Sequence, residues 1–159
     1  AKLFAATNSN DVFTRFLKTG KFSAQPTKQT LSNAMDVGNP NNLARIRQLY
    51  KNDIRAMQKD IESQSFTDEQ TTDAIKEVYQ KYNYILDPHS AVAYLGLKGH
   101  KGVFLSTAHP AKFPELIEKV LGKKIPMPKS LKTSLKRKKE TIELSKNFNQ
   151  LKRFLLSYT

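Results

Sequence analysis

Two short apolar stretches constrain this chain most: Lys2 to Ala6 at its start and Val103-Phe104-Leu105 far downstream. The long span between them carries helical spacing or turn-forming residues. Strands so far apart, joined through helices, favour parallel pairing, because a parallel pair needs a long crossover where a hairpin does not. The expected fold class is α/β, a partial parallel sheet with flanking helices. Two strands are few for a sheet of this type, so others are expected to be missing from the chain. It also opens without methionine, directly in a strand candidate, as a processed product or an engineered fragment would.

Helix signals punctuate the rest. Asn10 or Ser9 is placed to cap a helix carrying Val12, Phe13, Phe16 and Leu17 that stops near Gly20. Residues 21–42 read as a long irregular segment, which inside a compact domain is usually functional. From Leu43 the spacing turns helical through Ile46, Tyr50, Ile54, Met57 and Ile61, with Asn39, Pro40, Asn41 and Asn42 as its amino-terminal cap. Thr67-Asp68-Glu69-Gln70 has the form of a capping box for a second helix. Asp87-Pro88 supplies an N-cap and an N1 proline for a third. Val103-Phe104-Leu105 follows a glycine and reads as a buried parallel strand. Pro114 starts a helix that ends at Gly122, and Leu144, Phe148, Leu151 and Leu155 mark a final one.

Composition excludes several classes. With no cysteine there is no disulfide framework, thiol nucleophile or thiolate metal site, and no metal is expected. No apolar run reaches the length of a membrane span, and no secretory signal is visible; a cytoplasmic protein fits these features. The net charge of +13 is concentrated downstream: residues 98–159 hold 15 Lys and Arg against 4 Asp and Glu, residues 1–97 hold 12 against 10. A nucleic-acid-binding module is one reading of this, favoured by Lys136-Arg137-Lys138-Lys139. The stretch lacks aromatic interleaving and any recognisable nucleic-acid motif, so a solvated basic surface is the better reading. A non-catalytic helical interaction domain, resting on the Leu43 to Ile61 stripe, is the other alternative.

In open α/β sheets, ligands gather at the carboxyl ends of parallel strands. Two loops are expected there: Thr7 to Asp11, and Ser106 to Lys112, which packs two hydroxyls, an imidazole and an ammonium into seven residues. Leu-Ser-Thr-Ala-His-Pro-Ala-Lys-Phe at 105–113 resembles the motif near the carboxyl end of threonine synthases of the bacterial and fungal type. Phe-Ala-Ala-Thr-Asn-Ser-Asn-Asp at 4–11, Leu-Ser-Asn-Ala-Met-Asp-Val-Gly-Asn-Pro-Asn-Asn at 31–42 and Asp-Pro-His-Ser-Ala-Val-Ala-Tyr at 87–94 match in the same order. The resemblance covers most of residues 1–122, expected to form the carboxy-terminal part of the catalytic fold. Residues 123–159 resemble the family loosely and are expected to form a basic linker and terminal helix.

The resemblance implies a tryptophan-synthase-β-like (fold type II) pyridoxal-phosphate enzyme, a carbon–oxygen lyase acting on phosphate. Such an enzyme converts O-phospho-L-homoserine and water to L-threonine and phosphate. It also implies that a hydroxyl near the chain end meets the pyridine nitrogen; Thr107 takes that role, with Ser106 as second choice. The competing structural reading of Thr107 is a hydroxyl that caps the next helix. Asn8, Ser32, Asn33, Asp36, His109 and Lys112 are candidates for lining the substrate or cofactor site. Against each stands a bland reading: turn-forming polar groups, a loop histidine bonded to its neighbours, a surface ammonium. The family's Schiff-base lysine and phosphate cradle lie upstream of the first residue here, so no catalytic residue is expected in this stretch and the chain alone is expected to be inactive without its missing amino-terminal part. Gly96-x-x-Gly99-x-x-Gly102 imitates a phosphate cradle, but it precedes the strand candidate, whereas a cradle should follow a strand and open a helix.

Overall fold

The computed structural model describes residues 2–157, and the chain divides into two compact units, Ala1–Pro126 and Met127–Thr159. The first unit opens with strand β1 (Leu3–Thr7) and helix α1 (Val12–Thr19), closed by Gly20 in the left-handed region. Neither Ser9 nor Asn10 caps α1. Asp11 occupies the N-cap without a side-chain cap bond and instead pairs with Arg15 Nε at 3.0 Å.

Residues 21–42 are irregular apart from a single 3-10 turn at Asn33–Met35. The helical stripe that follows is not one helix. It forms α2 (Leu43–Leu49) and α3 (Ile54–Asp60), separated where Lys51 and Asn52 take positive φ values of 51° and 61°. Asn42 sits at the N-cap of α2 but its side chain accepts no cap bond; Asp53 caps α3, accepting from the Arg55 and Ala56 amides at 2.9 and 3.1 Å. Ile61 then opens strand β2 (Ile61–Ser65) without an intervening loop.

Among the described residues, β1 and β2 form a two-stranded parallel sheet with Leu3 opposite Ile61 and Thr7 opposite Ser65. The parallel pairing is as expected, but the partner strand is not. Val103-Phe104-Leu105 is no strand: Val103 and Leu105 are 90% and 77% exposed, and only Phe104 turns inward, edge-on to Tyr94 at 6.1 Å between ring centres. Nothing among the described residues offers this segment a backbone ladder, so its apolar character serves one inward ring and two outward side chains.

Helix α4 (Asp68–Tyr82) carries both halves of the capping box, Thr67 Oγ1 accepting from the Gln70 amide and Gln70 Oε1 from the Thr67 amide. Helix α5 (Pro88–Leu97) begins as expected with Asp87 as N-cap and proline at N1. Helix α6 (Pro114–Leu121) ends at left-handed Gly122. These three bury Ala74, Ile75, Val78, Leu86, Ala91 and Ile117 in one core, with Phe104 and Phe113 against it. A second core joins Phe16, Leu17, Leu43, Met57 and Ile61. α5 crosses β1 closely: a Cβ on Gly96 would lie 2.8 Å from the Phe4 ring and 2.9 Å from the Ala6 methyl. The second unit holds α7 (Lys129–Leu135) and α8 (Phe148–Leu156), the latter capped by Asn147. No helix among the described residues is long and apolar enough to cross a membrane.

Candidate functional site

The site forms where the carboxyl end of β1 meets the amino terminus of α5. β1 delivers Asn8 into the interior, 1% exposed. Its Nδ2 donates to Thr30 Oγ1 at 2.7 Å, Asp36 Oδ1 at 2.8 Å and Ser32 Oγ at 3.1 Å. Asn10, expected as a cap, instead bonds the Lys28 backbone in both directions and donates to Asp36. Asp36 also accepts from the Thr30 hydroxyl and amide at 2.7 and 2.9 Å. Four donors therefore hold this carboxylate, which repays its removal from bulk water.

The structure thus brings Asn8, Ser32 and Asp36 together, with their polar atoms committed to one another. They fasten the 30–36 segment over the end of β1. Asn33 is set apart from them: it is exposed, opens the 3-10 turn, and its side chain makes no hydrogen bond among the described residues.

The 105–112 segment approaches from the other side. Because it follows no strand, its placement at a strand's carboxyl end is overturned; α5 and the core hold it instead. Ser90 Oγ, fully buried, lies 3.2 Å from Ser106 Oγ, and since its own proton goes to Asp87 it accepts from the Ser106 hydroxyl. His109 caps the 3-10 turn Pro110–Lys112, its Nδ1 accepting from the Ala111 amide at 3.1 Å. That is the neighbour-bonding reading of this histidine. Thr107, between the two anchored points, is exposed and makes no hydrogen bond among the described residues, so the helix-capping reading fails for it. Lys112 is likewise exposed and makes no ion pair among them.

One constellation escaped sequence reasoning. His89, on the first turn of α5, accepts from the Ala34 amide at Nε2 (3.1 Å) and faces Asp87 Oδ1 through Nδ1 at 2.9 Å. Since Nε2 accepts a hydrogen bond, the ring proton sits on Nδ1, toward the carboxylate. Asp87 is 1% exposed, and its other oxygen accepts the Ser90 hydroxyl. The Asp-Pro-His-Ser sequence carried the signal, because an N-cap acid two residues before a histidine places both at one helix end. The glycines at 96, 99 and 102 cradle nothing: Gly96 lies in α5 against β1, and Gly99 takes a positive φ just after that helix. The described residues contain no cluster suited to a metal ion.

A neutral hydroxyl at Thr107, unpaired and held between two fixed points, can serve a ring nitrogen as donor or acceptor. That chemistry is compatible with the nitrogen of a pyridoxal-phosphate ring; the described residues include no glycine-rich turn opening a helix for a phosphate.

Comparison with known proteins places the chain among threonine synthase homologues. The family described as "Threonine synthase, C-terminal" matches residues 90–155, running past the point at which the motif resemblance fades. The threonine synthase of Serratia marcescens is 39% identical over 160 residues, covering 98% of this chain and 37% of the relative. The crystal structure of threonine synthase from Escherichia coli superposes with a TM-score of 0.82 at 36% identity, over 99% of this chain and 38% of that one. A pyridoxal-phosphate-bound threonine synthase from Brucella melitensis gives 0.81 at 25% identity, over 99% and 40%. The chain spans little more than a third of the length of these relatives.

Proposed function

Because the chain is a threonine synthase homologue covering about 37% of the length of such enzymes, we propose that it supplies one wall of a pyridoxal-phosphate site for converting O-phospho-L-homoserine and water to L-threonine and phosphate. The observation that carries this reading is the free hydroxyl of Thr107, between Ser106 anchored to Ser90 and His109 anchored to Ala111. When bound, the cofactor supplies the electron sink for carbanion chemistry. Thr107 would meet its ring nitrogen as a neutral partner, which unlike a carboxylate would not favour the protonated ring. Ser106 keeps the loop at its setting. Asn33 and Lys112 offer the amide and the ammonium not used within the fold, suited to a substrate carboxylate or phosphate. The covalent lysine and the phosphate cradle come from the part of the relatives' length that this chain does not span, and the setting is cytoplasmic.

In the full-length protein carrying this chain, Thr107→Val should weaken cofactor affinity roughly tenfold, the worth of one well-formed hydrogen bond at the upper end of its range. Thr107→Ser should restore it. The measurement is cofactor titration followed by absorbance. The chain alone should make no threonine; a stable, stoichiometric visible band with added pyridoxal phosphate, abolished by replacing a single lysine of this chain, would overturn the division of labour.

A further inference from the structure

The polar groups at the start of α5 form an unbroken path between two segments that otherwise belong to different parts of the fold. The Ala34 amide donates to His89 Nε2 at 3.1 Å, and His89 Nδ1 lies 2.9 Å from Asp87 Oδ1. Asp87 Oδ2 accepts the Ser90 hydroxyl, and Ser90 Oγ reaches Ser106 Oγ at 3.2 Å. Every member but the outermost is shielded: the side chains of His89 and Asp87 are 11% and 0% exposed, and Ser90 is 0% exposed. Asp87 needs only its Oδ1 bond to the His89 amide to cap the helix. A cap alone does not require a second carboxylate oxygen aimed at a buried serine, nor an imidazole whose far nitrogen receives an amide 55 residues away. The Phe113 ring, 5.2 Å from the imidazole centre, fills the side of His89 that the path leaves open.

We infer that Asp87, His89 and Ser90 act together as positioning residues, a hydrogen-bonded bridge through the first turn of α5 that sets the 31–36 segment and the Ser106–Thr107 loop relative to one another. The role assigned to the three is to hold the two segments, not to contact the reacting groups. Their effect on turnover rests on the reading in which Thr107 faces the cofactor; the bridge itself does not. Coupling the two segments holds Asn33 in one and Thr107 in the other, both with uncommitted polar side chains, at one spacing. Small displacements of positioning groups are costly in rate because the reacting geometry tolerates little error.

Two substitutions at one position separate the arms. His89→Gln offers an oxygen near the place of Nε2 and keeps the Ala34 arm; His89→Asn offers a nitrogen near the place of Nδ1 and keeps the Asp87 arm. Nitrogen-15 shifts of the wild-type ring should report the proton on Nδ1. His89→Asn should quicken Ala34 amide exchange roughly tenfold and also lower the backbone order parameters of residues 105–108. Ser90→Ala should do both from the opposite end, while α4 amides stay protected as the control for folding. In the full-length protein, Ser90→Ala should lower kcat about tenfold and change KM less than twofold. A ring proton on Nε2, or segments that respond independently to the two substitutions, would overturn the bridge. Coupled segments with kcat unchanged would leave the bridge standing and overturn the cofactor reading instead.

Discussion

Gly96 shows how a single missing methyl positions the site. Alanine there would gain roughly 1 kcal/mol in helix propensity. Its Cβ would stand 2.8 Å from the Phe4 ring and 2.9 Å from the Ala6 methyl. The ring can turn, but the Ala6 methyl moves only with the strand, and overpacking of this kind typically costs about 1–3 kcal/mol. The clash outweighs the propensity, so Gly96→Ala should lower unfolding free energy by about 1–2 kcal/mol in denaturant titration. Glu77 offers a second handle. The Lys98 ammonium, and to a lesser extent the Tyr94 hydroxyl, hold its carboxyl below the usual range, while burial and the same carboxylate push the Tyr94 phenol up. A lowered carboxyl stabilises the fold above its unfolded pKa, and that contribution disappears as pH falls through the folded value. The Glu77 and Lys98 side chains are 37% and 52% exposed, so solvent screening keeps the contribution of the pair small. Glu77→Gln should lower the thermal midpoint slightly near neutrality and not at all in acid below the lowered carboxyl pKa, measured by thermal unfolding across pH.

Elements announced by their caps were legible in the sequence; those decided by packing were not. The capping box at Thr67 and the Asp87-Pro88 start stand as expected, since each is a local satisfaction of orphan amides. Thr67→Ala should accordingly cost about 1 kcal/mol, read as a lower unfolding midpoint with the same denaturant slope. β2 was hidden for a physical reason. Ile61 packs in one core with Leu43 and Met57, four residues after Met57, so it continues a helical stripe although its backbone is a strand. The remainder of β2, Glu-Ser-Gln-Ser, has little β-propensity and owes its conformation to β1. Asn52-Asp53 was the readable break, a left-handed residue before an N-cap, but the apolar spacing ran through it. The reverse error at Val103-Phe104-Leu105 has the same origin, because apolar content signals burial without saying what supplies the partner. At the candidate site, the polar density of the 106–112 loop was visible from residue types, whereas the role of Thr107 came from the family resemblance. The bridge through His89 was not, because Ala34 and Ser106 meet it only in three dimensions.

At the scale of the molecule, charge is the dominant imbalance. A net +13 meets only three ion pairs of Lys or Arg with a carboxylate among the described residues. Self-repulsion of a compact cation opposes folding, and salt screens it over a Debye length that shrinks from ~30 Å at 0.01 M to ~8 Å at 0.15 M. Raising potassium chloride across that range should raise the thermal midpoint; a fall would mean that the few attractive pairs outweigh the repulsion. The parallel pairing of β1 with β2 also sets an order in time. The Ser63 hydroxyl reaches the Ala5 carbonyl across 58 residues of chain, whereas α4 and α5 are joined by only residues 83–87. Closing the longer loop costs about 2 kcal/mol more entropy, so the helical pair assembles first and the ladder zips late. The hydrogen-bonded cluster around Asn8, which needs the end of β1 in place, is therefore among the last features to mature, and a chain caught short of that step would hold a formed helical core without it.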